Sequence, residues 1–225
     1  MLTLLFPKIC NGCKSTLLKS EKILCTQCAH NLPLVCHHRT GNASMKKIFY
    51  GRVPFENATA LMHFQKKGIT QEIMHNLKYR GQKEISSFFG QWLGVELSEA
   101  SQYSSIDLVV PVPLHKQKLR KRGYNQVEGF GKEIAAALHI PYRDDILIKI
   151  SKTSSQVFKQ RFTRFHLTNS GEEVFTVVKP EVIANKHILL VDDIITTGAT
   201  LENCALQLLN SSQTKVSIAT MAITT

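Results

Sequence analysis

The chain has 225 residues, 43% of them hydrophobic, so it can bury a sizeable core as one large domain or as one domain with a small module. No apolar run approaches the roughly 20 residues that span a bilayer, and Met1 to Phe6 lack a basic leader before Pro7, so we expect no signal peptide and a cytoplasmic location. The net charge of +11 rests on 28 Lys and Arg against 17 Asp and Glu, and it is unevenly placed.

Cys10-x-x-Cys13 and Cys25-x-x-Cys28 open the chain as two knuckles separated by eleven residues. Each places two thiols on one side of a tight turn, and four thiolates complete a tetrahedral zinc ion. Cytoplasmic disulfides are rare, and a redox CxxC needs only one pair. Competing ligand sets exchange one cysteine for His30, Cys36, His37 or His38. Zinc held by four thiolates is structural, because no position remains for a water. Residues 1–40 are therefore assigned to a zinc-ribbon or zinc-finger module, and 41–225 to a second domain.

Past the module, Ile48, Tyr50, Val53 and Phe55, then Ala60, Met62 and Phe64, alternate loosely and predict two strands of a hairpin-like extension. Helical spacing covers 69–79 and 85–97, with Ile73, Leu77, Phe88, Phe89, Trp92 and Leu93 turned to a core. Strands are predicted at 107–112, 146–150, 174–178, 187–191 and 216–222, and helices at 124–138 and 201–209. Residues 151–170 are polar and basic, with a helix expected in their middle. Strands alternating with helices imply an α/β fold around a parallel sheet.

Three stretches are basic: residues 1–50, which hold seven Lys or Arg and the single acid Glu21; Lys116, Lys118, Arg120, Lys121 and Arg122 within seven positions; and 149–164, which has no acid. One such patch is as readily a solvated surface as a binding site. Three together favour a polyanion. Tyr124, Phe158, Phe162 and Phe165 are either core residues or stacking faces beside these cations.

In the stretch Ile188-Leu189-Leu190-Val191-Asp192-Asp193-Ile194-Ile195-Thr196-Thr197-Gly198-Ala199-Thr200, four apolar residues run into two carboxylates, then into a Thr/Gly loop and a helical pattern. A continuous apolar run reads as a strand buried on both faces, and ligands of such sheets sit beyond the strands' carboxyl ends. The loop offers backbone N–H groups, hydroxyls and a helix start to a phosphate. The carboxylates suit sugar hydroxyls, or a metal near them.

This stretch resembles the phosphoribosyl-diphosphate (PRPP) signature of type I phosphoribosyltransferases. The resemblance implies that Asp192 and Asp193 hold the ribose 2′- and 3′-hydroxyls. It also implies that Thr196, Thr197, Gly198, Ala199 and Thr200 hold the 5′-phosphate. Leu77-Lys78-Tyr79-Arg80-Gly81, Val110-Pro111-Val112-Pro113-Leu114-His115 and Arg122-Gly123-Tyr124-Asn125-Gln126, placed between the cysteines and the signature, resemble the layout of the ComF family of phosphoribosyltransferase-like competence proteins. By position Pro113, Leu114 and His115 fall on the turn that cradles pyrophosphate, where His115 is a polar turn residue or a general acid. Lys152, Thr153, Gln156 and Arg161 look like the mobile loop over the site, with Lys152 where arginine is usual. Arginine clamps phosphate better than lysine.

The implied chemistry is displacement of pyrophosphate at the ribose anomeric carbon, helped by Mg²⁺, cationic side chains and exclusion of water. The family implies a PRPP-binding role in natural transformation, handling incoming single-stranded DNA in the cytoplasm; the clustered charge of Lys116, Lys118, Arg120, Lys121 and Arg122 offers contacts for that DNA. A helicase or another component of DNA uptake is the expected protein partner. The alternative is an active transferase that moves the phosphoribosyl group to a small acceptor.

Overall fold

The computed structural model describes residues 7–35, 37–40, 43–150 and 174–224. A cysteine-bearing turn precedes α1 (Thr26–His30), α2 (His37–Thr40) and α3 (Ala43–Phe49). Then come β1 (Ala58–Phe64), α4 (Ile69–Tyr79), α5 (Glu84–Ser98), β2 (Leu108–Pro111), α6 (Lys116–Arg122) and α7 (Glu128–Ala137). The chain continues through β3 (Leu147–Ile150), β4 (Val174–Val177), α8 (Pro180–Ile183), β5 (His187–Ile195), α9 (Ala199–Leu209) and β6 (Lys215–Thr224).

Four strands make a parallel sheet in the order β1-β6-β5-β2, while β3 and β4 pair antiparallel in a sheet of their own. Parallel strands need helical crossovers, which cover both faces of the sheet. The side chains divide accordingly. Val109, Leu189, Val191, Ala219 and Met221 join α4, α5 and α7 in one core. Leu108, Val110, Ile188, Leu190, Val216 and Ile218 join α3, α8 and α9 in the other. The alternation is the period-two pattern of a strand whose two faces are both buried.

The expected hairpin at 48–64 does not form. Ile48 belongs to α3, and β1 lies in the main sheet parallel to β6, with Ala58 opposite Ile218 and Met62 opposite Ala222. Met45 and Phe49, four apart, are both buried, so a helical period competes here with the looser alternation. Ala60, Leu61 and Met62 are fully buried in succession, which marks a strand covered on both faces rather than an exposed hairpin.

The cysteine-bearing segment does not stand apart. Cys10, Ile23, Leu24, Cys28 and Leu32 share one core with Ile73, Leu77, Phe89 and Phe130. Helices α5 and α7 approach closely because glycine faces the crossing. A Cβ on Gly90 would lie 2.6 Å from the Phe130 carbonyl oxygen and 2.8 Å from its Cα, both backbone atoms that cannot swing away. Gly90→Ala should therefore lower stability by about 1–3 kcal/mol through overpacking. Urea unfolding measures this, and an unchanged midpoint would show that the crossing relaxes freely.

Candidate functional site

Strands β2 and β5 are neighbours, with Pro111 paired to Val191, so their carboxyl ends open at one edge. Ligands of parallel sheets bind at that edge. Strand β5 runs four residues beyond the expected 187–191, because Asp192, Ile194 and Ile195 pair with Thr220, Ala222 and Ile223 of β6. The two carboxylates thus lie inside the strand, only 8% and 4% exposed. A buried carboxylate is costly unless it is partnered. Asp193 faces the side of the sheet that carries α4, and the Lys78 ammonium sits 3.0 Å from its Oδ2. The Asp192 Oδ1 accepts the backbone N–H of Asp193 at 2.8 Å.

The loop after β5 exposes Thr196 and Thr197 and enters α9 at Gly198. Gly198 has φ +78°, and a Cβ there would lie 2.6 Å from the Phe49 ring, so both conformation and space demand glycine. The Thr197 hydroxyl accepts the Ala199 N–H at 3.4 Å. From outside, the Arg52 guanidinium donates to the carbonyls of Ile48 and Thr197, at 3.2 and 3.1 Å, and pairs with Glu202. Arg52 was not legible in the sequence, since its partners at the loop and α9, Thr197 and Glu202, lie 145 and 150 residues away. Lys78 sits in a stretch that carries the family resemblance, but nothing local marks its pairing with Asp193.

The turn after β2 is held from both sides. Val112 donates its N–H to the Val191 carbonyl at 2.9 Å, and the Asn125 amide donates to the Val112 carbonyl at 3.1 Å. Pro113, Leu114 and His115 follow, half-buried, at the same edge as the Thr/Gly loop. The His115 Nδ1 accepts the Gln117 N–H at 3.2 Å, so its side chain serves as the cap of α6. No residue of α6 is buried, and Lys116, Lys118, Arg120 and Lys121 make no ion pair with a described residue. Arg122 instead bonds Gln126, and its Cζ lies 5.9 Å from the centroid of the Tyr79 ring. Tyr124 packs against the core. It is half-buried, and its hydroxyl donates to the Leu77 carbonyl. Lys152, Thr153, Gln156, Arg161, Phe158, Phe162 and Phe165 lie outside the described residues.

The second site is the cysteine cluster. One sulfur from each of Cys10, Cys13, Cys25 and Cys28 lies within 4.8 Å of the others. The Cys13 and Cys25 sulfurs are 3.7 Å apart, against about 3.8 Å for the edge of a tetrahedron with metal–sulfur bonds near 2.3 Å. Backbone N–H groups of Gly12 and Cys25 point at the Cys10 sulfur, at 3.4 and 3.3 Å, and that of Cys28 points at the Cys25 sulfur at 3.4 Å. Such donors offset negative charge on thiolates. The donor set and spacing fit a metal ion such as zinc. The group of clustered ligand atoms consists of the four cysteines; of the competing histidines, His30 is exposed and His38 pairs with Glu96 at 2.9 Å. Cys36 lies outside the described residues.

The Ser15 hydroxyl beside Cys13 brings its thiol down to about 6, while burial pushes the Cys28 thiol far up. The knuckle also grips α4. Asn76 donates to the Asn11 carbonyl at 3.1 Å, Lys14 pairs with Glu72 at 3.1 Å, and a Cβ on Gly12 would lie 3.0 Å from both the Cys28 sulfur and Ile69. Among the described residues no helix is long and apolar enough to cross a membrane.

A parallel sheet with a carboxylate pair and a Thr/Gly loop at its carboxyl edge defines a phosphoribosyltransferase-like α/β protein. In agreement, the family described as "Phosphoribosyl transferase domain" matches residues 128–223. The DNA utilization protein YhgH of Escherichia coli (strain K12) is 25% identical over 214 residues, covering 93% of this chain and 88% of that protein. Competence protein ComFC of Streptococcus pneumoniae is 31% identical over 131 residues, covering 58% of this chain and 53% of that protein. Competence protein F of Haemophilus influenzae is 26% identical over 133 residues, covering 57% of each. These relatives, together with the matching domain, support a ComF-like, phosphoribosyltransferase-like protein.

Metal binding must strip protons from the cysteine thiols, above all from buried Cys28, whose thiol is raised. Metal affinity should therefore rise with pH and weaken on acidification. Competition against a chromophoric chelator at about pH 6 and pH 8 measures it, alongside elemental analysis expected to find about one zinc per chain. A metal-free protein with four freely reactive thiols would refute a metal centre.

Proposed function

We propose that the chain binds PRPP with Mg²⁺ at the carboxyl edge of β2 and β5, and that it handles single-stranded DNA in the cytoplasm during natural transformation. The observation that carries the first part is the pair of buried carboxylates beside an exposed Thr/Gly loop. In this reading Asp192 and Asp193 take the ribose hydroxyls. Thr196, Thr197, Gly198, Ala199 and Thr200 take the 5′-phosphate, and Pro113, Leu114 and His115 flank the pyrophosphate. Lys78 already balances Asp193, so the diphosphate, not the carboxylate pair alone, would match the charge of Mg²⁺. The cysteine cluster would hold a structural zinc. The DNA part is supported by the names of the relatives and by the cations of α6, unpaired among the described residues.

A second reading, an active transferase acting on a small acceptor, is favoured by the completeness of the carboxylate-and-loop edge. Pyrophosphate release from PRPP and Mg²⁺ across a panel of bases and amines separates the two readings.

Replacing Asp192 with asparagine keeps side-chain volume, leaves the Lys78–Asp193 pair in place and should abolish the calorimetric signal of PRPP while circular dichroism stays native. Equal affinity in both proteins would remove Asp192 from the ribose site.

Single-stranded DNA should bind with a steep salt dependence. Replacing Lys116, Lys118, Arg120 and Lys121 with glutamine should flatten the log K against log salt slope by about 0.7 for each phosphate no longer neutralised. Fluorescence anisotropy measures this, and absence of binding at low salt would overturn the DNA reading.

A further inference from the structure

Tyr79 is the last residue of α4 and is 71% exposed, although the two residues before it are engaged. Lys78 reaches Asp193 at 3.0 Å. The Leu77 carbonyl receives the Tyr124 hydroxyl. The Tyr79 ring lies 5.2 Å from that of His75, one turn earlier, and 5.9 Å from the Arg122 guanidinium. Arg122 is in turn held by Gln126. A large ring is therefore flanked by an imidazole and a guanidinium yet left in water, one residue from the side chain that touches the carboxylate pair.

Core packing does not account for this placement, because Tyr79 contributes to neither buried cluster. Nor is the ring needed to end the helix. Arg80 donates its N–H to the Asn76 carbonyl at 3.1 Å, and Gly81 at φ +71° turns the chain. A positioned aromatic ring beside a guanidinium is a stacking ledge. Every nucleobase has a π-face, so stacking on an aromatic side chain is tolerant of sequence. A guanidinium adjoining the ring adds cation–π attraction and a charge for the phosphate that follows the base.

We propose that Tyr79, backed by Arg122, stacks a nucleobase at the mouth of the carboxylate edge. This rests on the reading of that edge as a PRPP site. It gives that site an acceptor side: the ligand there is a planar base, borne by a single strand or free. The base enters beside α4, whereas the phosphates of the strand follow the cations of α6.

The test uses the full chain, wild type, Tyr79→Ala and Tyr79→Phe. The probes are a single-stranded oligonucleotide carrying 2-aminopurine, an abasic strand of equal length, and free 2-aminopurine. Stacking should quench the 2-aminopurine fluorescence of the wild-type complex. Tyr79→Ala should lose the quenching and weaken binding of the base-bearing strand about tenfold, the change equivalent to about 1.4 kcal/mol. Tyr79→Phe should retain both, and the abasic strand should bind all three proteins alike. Quenching of the free base as well would mean that a small acceptor uses the ledge, and quenching of the strand alone that the strand does. Equal quenching and affinity in wild type and Tyr79→Ala would overturn the proposal. PRPP calorimetry on the same preparations is read separately: a silent calorimeter with Tyr79-dependent quenching would defeat the PRPP reading and leave the ledge standing.

Discussion

The ion pair between Lys78 and Asp193 is the constraint around which the described molecule is arranged. Asp193 is 4% exposed, and an unpartnered carboxylate at that depth would cost several kcal/mol. Its partner must come from outside β5, because that strand carries no basic residue beyond His187 at its far end. Helix α4 supplies it, and so the C-terminal end of α4 has to stand over the carboxyl edge of the sheet. The same helix is gripped along one side by the cysteine-bearing turn, through Asn76 to Asn11 and Glu72 to Lys14. The cysteine cluster and the carboxylate edge are thus the two anchorages of one eleven-residue helix. A metal bound at the turn would reach the carboxylate edge only through α4, which contacts both.

Shared packing reinforces this connection. Cys10 and Cys28 are buried in the core that holds Ile73 and Leu77 of α4. Four thiols at this spacing are an awkward thing to bury. Thiolates repel, and Cys28 is held protonated by burial when no metal is present. A divalent ion removes both difficulties at once, because it binds only the deprotonated thiolates and offsets half of their charge. The backbone N–H groups aimed at Cys10 and Cys25 are already set for that state.

What the sequence disclosed depended on whether the signal was local. Asp192 and Asp193 followed by Thr196, Thr197 and Gly198 could be read from thirteen adjacent residues, and the cysteine knuckles from two short spacings. Helices α4 and α5 carry regular apolar periods. Helix α6 does not: Lys116 to Arg122 has one apolar residue, Leu119, and forms because His115 caps its start and Gly123 at φ +82° closes its end. Helix α7 begins at Glu128 rather than 124 because Asn125 turns its amide to Val112 and accepts the Val127 N–H at 3.3 Å. Arg52 and Lys78 carry no local signal, because their partners Thr197, Glu202 and Asp193 lie far along the chain. The exposure of Tyr79 is likewise something composition does not convey.

Charge near the edge is sorted by depth. The acids there are engaged: Asp193 with Lys78 and Glu202 with Arg52. The cations of α6 stand in solvent and pair with no described acid. An approaching polyanion therefore meets positive charge first, and reaches the carboxylates only where hydroxyls rather than phosphates can face them. That ordering suits a ligand with phosphates at both ends and a sugar between, and it equally suits a strand whose phosphates run outward along α6. Both would draw on the same first turn of α6, which begins one residue after His115. In the proposed function, then, PRPP and DNA are neighbours on one electrostatic surface, and the occupancy of one sets how many cations remain for the other.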